Sequence, residues 1–311
     1  MTLTKINKLI KEYIIELNPD ESDFNFISSL VDIVINTKSK ATRQTYRSVY
    51  RLSDSLISSK KFLSSLDPSY GDLLLKLLKS EELELVKVTG RNNYIASSTL
   101  TESGTHHIFL PYNETIEDSY TIVHEVLHDS NVSLELTESR FLFTEAISIL
   151  GEMLFEDYYS STKPKEYLKN GKDLLYAILN KAVSLHIQIE LIKLFLKYGE
   201  VNKSNIKEIG VTDSLKPFIN MYLNYYSKLD ELPFDNDQRH LMGFLFASYM
   251  HDSGDGANYL RDINRVINDV SFDDILSSIG IHTTNSDGYD LDIASKKVLK
   301  KTYERAVIKY E

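Results

Sequence analysis

Cysteine is absent from the 311-residue chain. Disulfides and thiolate metal ligation are thereby excluded, and any metal must rest on histidine and carboxylate groups. Glycine (12) and proline (6) are scarce for this length, which favours long helices over a many-turned β protein. No apolar run approaches the roughly 18 residues of a membrane span. No basic block interrupts a net charge of −10, so nucleic acid is a poor candidate partner and no membrane association is expected. The opening "MTLTKINKLIKEYIIELN" is an amphipathic helix in which Lys5, Lys8 and Lys11 interrupt the apolar residues. It lacks the unbroken apolar core of a signal peptide, and the expected location is the cytoplasm.

What is present reads as a soluble globular protein, 42% hydrophobic and 26% charged, large enough for one big core or two modest ones. Residues 1–80 read as helices with breaks near "LNPDESD" and "SLDPSYGD". The segments 83–88, 93–100 and 105–112 are short and partly alternating, and together predict one small sheet. Helical periodicity returns at Asn113 and continues to the C-terminus. The expected plan is mainly α: an N-terminal helical part over 1–80, then 81–311 with a small sheet or hairpin (83–112), a helix over 116–129, another over 137–158, and C-terminal helices from 160, all one compact unit around a cleft.

Between sheet and helices stands "SYTIVHEVLHDSN", residues 119–131. With 8 His and 22 Glu in the chain, chance placement gives a His-Glu-x-x-His string about 0.014 times per chain. Thr115 and Asp118 predict a capping box for its helix. His124 and His128 then lie about 40° apart around the axis and one turn apart along it, so both imidazoles can face one cation. Zinc suits two imidazoles and a carboxylate with one position open. Glu125, about 100° round from His124, is placed instead to take a proton from a water activated by the metal.

The third ligand is sought in "ESRFLFTEAISILGEMLFEDYY", 138–159. Glu145 sits among Phe141, Leu142, Phe143, Ala146, Ile147 and Ile149, where a carboxylate is expensive unless it is paired or on a metal. Glu152, seven residues on and within about 20° of the same face, is either an outer acceptor for a ligand histidine or the rival ligand. Asp129 reads as a helix-end residue. His106 and His107 alternate on their strand, one inward and one outward.

The stretch "HHIFLPYNETIEDSYTIVHEVLHDSN" resembles oligoendopeptidase F and the thimet oligopeptidase-like zinc peptidases, of gluzincin type. "TEAISILGE", 144–152, resembles that family's ligand helix, which implies Glu145 on the metal and Glu152 behind it. "RHLMGFLFASYM", 239–250, is similar to the family's His-Leu-x-Gly segment. On that match His240 and Tyr249 would line the cleft opposite the metal and stabilise the tetrahedral intermediate. Leu245 and Asp252 stand where family members often carry tyrosines. The ligand spacing is shorter than usual, and the chain has about half the usual length.

The resemblance implies a zincin-like helical fold and one zinc per chain, held by His124, His128 and Glu145. It implies a metalloendopeptidase or oligopeptidase that hydrolyses a peptide or protein substrate with Glu125 as general base. The strand 105–110 would hold the substrate backbone by β-addition. The alternatives are a zinc-containing binding protein, a catalytically reduced homologue, or hydrolysis of a non-peptide amide.

Overall fold

The computed structural model describes residues 2–19, 24–37, 39, 42, 50–80, 82–88, 96–100, 106–132, 138–160, 164–210, 215–260, 272–284 and 290–310. Helices α1 (Thr2–Leu17), α2 (Asn25–Ile35), α3 (Leu52–Leu66) and α4 (Pro68–Lys79) precede three strands, β1 (Leu83–Lys87), β2 (Ser97–Leu100) and β3 (His106–Tyr112). There follow α5 (Glu117–Val132), α6 (Glu138–Ser160), α7 (Pro164–Tyr198), α8 (Lys216–Tyr226), α9 (Phe234–Asp252), α10 (Phe272–Ser278) and α11 (Ile293–Tyr310). The protein is mainly helical with one small sheet. Among the described residues no helix is long and apolar enough to cross a membrane.

The strand order is β1-β3-β2. β3 runs parallel to β1, with Ile108 opposite Leu83, and antiparallel to β2, with Ile108 opposite Ser98. Period-2 alternation turns Ile108 and Leu110 inward, and both are fully buried. With β3 paired on both sides, it has no free edge for a substrate strand, which corrects the expectation of β-addition along 105–110. A local pattern marks a strand but not its neighbours, and the parallel β1 partner comes from more than twenty residues upstream. Part of the expected strand at 93–95 lies outside the described residues.

β3 enters α5 through a tight turn in which Glu114 takes a left-handed φ of 56°. Asp118 accepts the backbone N–H groups of Asn113 (2.9 Å) and Thr115 (3.2 Å) and fixes this entry. Only that arm of the expected capping box forms, for the Thr115 hydroxyl is buried without a partner.

One connected core runs from Ile6 and Ile10 in α1 to Val307 and Tyr310 in α11. Helices before residue 80 contribute directly: α2 packs on α7, α9 and α11, and α3 packs on α5 and α6. At the centre α6 lies between α5 and α9, and two glycines set its distance from each. A Cβ on Gly151 would come within 2.0 Å of Leu127 Cδ1, and one on Gly243 within 2.6 Å of Glu145 Cβ and 2.9 Å of the Glu145 carbonyl carbon. Glycine inside a helix costs about 1 kcal/mol against alanine; here the missing side chain admits a neighbouring helix.

Candidate metal centre

α5 presents His124 and His128 with ring centroids 4.6 Å apart. α6 brings Glu145 to them: its Oε2 lies 3.5 Å from His124 Nε2 and 3.6 Å from His128 Nε2. The potential ligand atoms of His124, His128 and Glu145 all lie within 4.8 Å of one another. Donors about 2.0–2.1 Å from a tetrahedral zinc stand roughly 3.4 Å apart, so the separations to Oε2 fit such an ion. Among the described residues the buried Glu145 Oε2 has no hydrogen-bond partner. An orphaned carboxylate oxygen between two imidazole nitrogens is what a cation would satisfy.

Glu152 stands behind the histidine. Its Oε1 accepts from His124 Nδ1 at 2.7 Å, and its Oε2 accepts from Asn170 Nδ2 at 3.3 Å. With Nδ1 donating to Glu152, Nε2 is the ring nitrogen left to face Glu145, and it is the atom a metal would take once its proton is displaced. The geometry thus separates the two carboxylates that the sequence left as rivals: Glu145 at both Nε2 atoms, Glu152 at Nδ1.

Electrostatics follow from burial. Burial opposes a charge on His124, but its contacts with Glu145 and Glu152 outweigh this and raise its pKa well above the ordinary value. Burial also opposes a charge on Glu145, yet the contacts of His124 and His128 hold its carboxyl well below the usual range. Glu125 is nearly fully buried and feels both histidines; its pKa is raised chiefly by burial, with the histidines opposing. A raised pKa makes Glu125 a stronger base than an exposed glutamate.

His240 comes from α9, with Nε2 at 3.8 Å from Glu145 Oε2. Its Nδ1 donates to the Asn236 carbonyl at 2.8 Å. Burial first, with Lys181 adding and Glu145 opposing, lowers its pKa to about 4. At neutral pH its Nε2 is therefore an acceptor, and donation to an oxyanion would need a proton that burial disfavours. Arg239, next to it, is electrostatically coupled to Glu145.

Tyr249 is not brought to this cluster. Nine residues are two and a half turns, about 13 Å along α9 and on the face opposite His240. Its hydroxyl instead packs at Gly280, where a Cβ would approach it to 3.0 Å. Aligning the segment by spacing alone hides this reversal of face. His107 lies beside Glu84 at 3.7 Å, and the His106 side chain lies outside the described residues.

Sequence reasoning missed Asn170 and Gly151, and took Gly243 only as the glycine of the His-Leu-x-Gly resemblance, not as a packing position. Gly151 carried a signal, since a glycine in an otherwise apolar helix needs a packing reason. Asn170 carried none. Compared with family models, curated proteins and solved structures, the chain finds no match.

Proposed function

We propose that the chain is a zinc-dependent peptidase of zincin-like helical fold, with one zinc per chain held by His124, His128 and Glu145. The observation that carries this reading is the orphaned Glu145 Oε2 between two Nε2 atoms, with the Glu125 carboxyl beside them. Zinc there would supply Lewis-acid polarisation of a carbonyl and a water of lowered pKa. Glu125 takes the proton of the attacking water and passes it to the leaving amine. Glu152 and Asn170 hold His124 in its ligand tautomer.

An extended peptide or protein segment adds to β2, an edge strand that packs against α5 and, among the described residues, carries no further partner. The second reading, a zinc protein without turnover, is favoured by one observation, the position of Tyr249 away from the cluster.

Cleavage of a randomised peptide library by the zinc-loaded protein decides between them. Glu125→Gln keeps shape and metal but cannot accept the proton, so cleavage should fall about 10²–10⁴-fold. Equal cleavage by both proteins would refute the mechanism, and no cleavage by either would favour the second reading.

A further inference from the structure

α6 and α9 run side by side in the same direction: His240 meets Glu145 at one end, and His251 meets Asp157 at the other. Eleven residues separate the two histidines, so the far end lies about 16 Å along α9 from the metal centre. There α9 and α11 enclose a pocket of about 310 Å³ over Met153 of α6. That volume is at the small end of ligand sites.

The pocket carries both charges. Arg305, Lys309 and His251 line it together with Asp252. Asp157 stands behind, accepting from His251 Nε2 at 2.6 Å and from Lys309 Nζ at 2.9 Å. Arg305 donates through Nη1 to Asp252, and among the described residues no other bond of its guanidinium fork is seen. These pairs are partly solvated, with the Arg305 side chain 64% exposed. Exposed pairs contribute little to stability, so exchanging a resident partner for a ligand costs little.

We propose that this pocket binds a small zwitterion, an α-amino acid or dipeptide, with its carboxylate on Arg305 and Lys309 and its ammonium on Asp252. A simple anion would meet the resident aspartates, and a simple cation would meet Arg305 and Lys309. A ligand with both charges a few bonds apart matches the wall, and its carboxylate suits the planar arginine fork. The assignment does not depend on the peptidase reading, since none of these residues belongs to the metal centre.

Titration calorimetry on the full chain tests it, using alanine, alanylalanine, and the N-acetyl and C-terminal amide forms of the dipeptide. Alanine or alanylalanine should bind, and both blocked forms should bind at least tenfold more weakly. Binding should survive in His124→Ala and fall at least tenfold in Arg305→Met and in Lys309→Met, whose folding is checked by thermal melting. Absence of binding, equal binding of a blocked form, or loss in His124→Ala with retention in Arg305→Met would each overturn the assignment. The last result would move the ligand to the metal centre.

Discussion

Glu156 lies on α6 one turn beyond Glu152, is only 2% exposed, and among the described residues has no hydrogen-bond partner at either oxygen. Burial lifts its pKa from the ordinary 4.5 to about 8, with Lys309 opposing. The unfolded chain releases this proton near 4.5 and the folded chain only near 8, so between those values the native state holds one more proton. Stability must then fall as pH rises through that window. It is fully present below pH 4.5 and lost by about pH 8. The slope for one group is about 1.4 kcal/mol per pH unit, at most about 4 kcal/mol between pH 5 and 8. Glu156→Gln keeps the volume and removes the titration. Urea unfolding of both proteins, with chelator present, at pH 5, 6, 7 and 8 measures the difference and cancels every group the two share. The variant should be close to the parent at pH 5 and progressively more stable above it. A difference that stays constant within about 0.5 kcal/mol across the series would refute the argument, because it would mean that Glu156 ionises in the folded chain as easily as in the unfolded one.

Other expectations concern the metal centre. Glu145→Ala should weaken zinc binding far more than Glu152→Ala, since loss of an outer partner typically costs about 10–100-fold in affinity; competition with a chelator orders the two, and the reverse order would exchange their roles. Gly243→Ala should destabilise the chain by about 1–3 kcal/mol, measured by denaturant unfolding, as its Cβ must displace the Glu145 backbone. A gain in stability, the usual effect of replacing glycine in an open helix, would show that α6 and α9 are not in contact there. Tyr249→Phe should leave peptidase kcat within about twofold of the parent, since its hydroxyl packs at Gly280; a loss of 10²-fold or more would return Tyr249 to the reacting atoms.

The metal centre was legible in the sequence for a physical reason. His124 and His128 share a face by helical period, and Glu145 stands out because an ionised group in an apolar helix needs a partner. Glu156 stands among apolar residues in the same helix and could have been singled out by the same reasoning, but no nearby motif drew attention to it. Which of Glu145 and Glu152 faces the two Nε2 atoms depends on how α5 crosses α6, set by Leu127 over Gly151, a contact that no single-helix pattern contains. Tyr249 falls away from the cluster because a motif fixes spacing along the chain, whereas orientation depends on the remainder after division by 3.6. The sheet order was illegible for a related reason, since β1 reaches β3 across the intervening β2.

The contact of Gly243 with Glu145 has a further consequence for how the ligand set comes together. In small zinc domains the ion assembles its own site, and metal binding is inseparable from folding. Here the backbone of one ligand is clamped against a neighbouring helix, and His124 is tied through Glu152 to Asn170 on a third helix. Core packing does the assembling, and a cation of zinc's size would enter a cage already formed. Such a cage would resist expansion toward the longer oxygen distances and higher coordination number of calcium, so its preference among cations would be set by stiffness as much as by the chemistry of its donors.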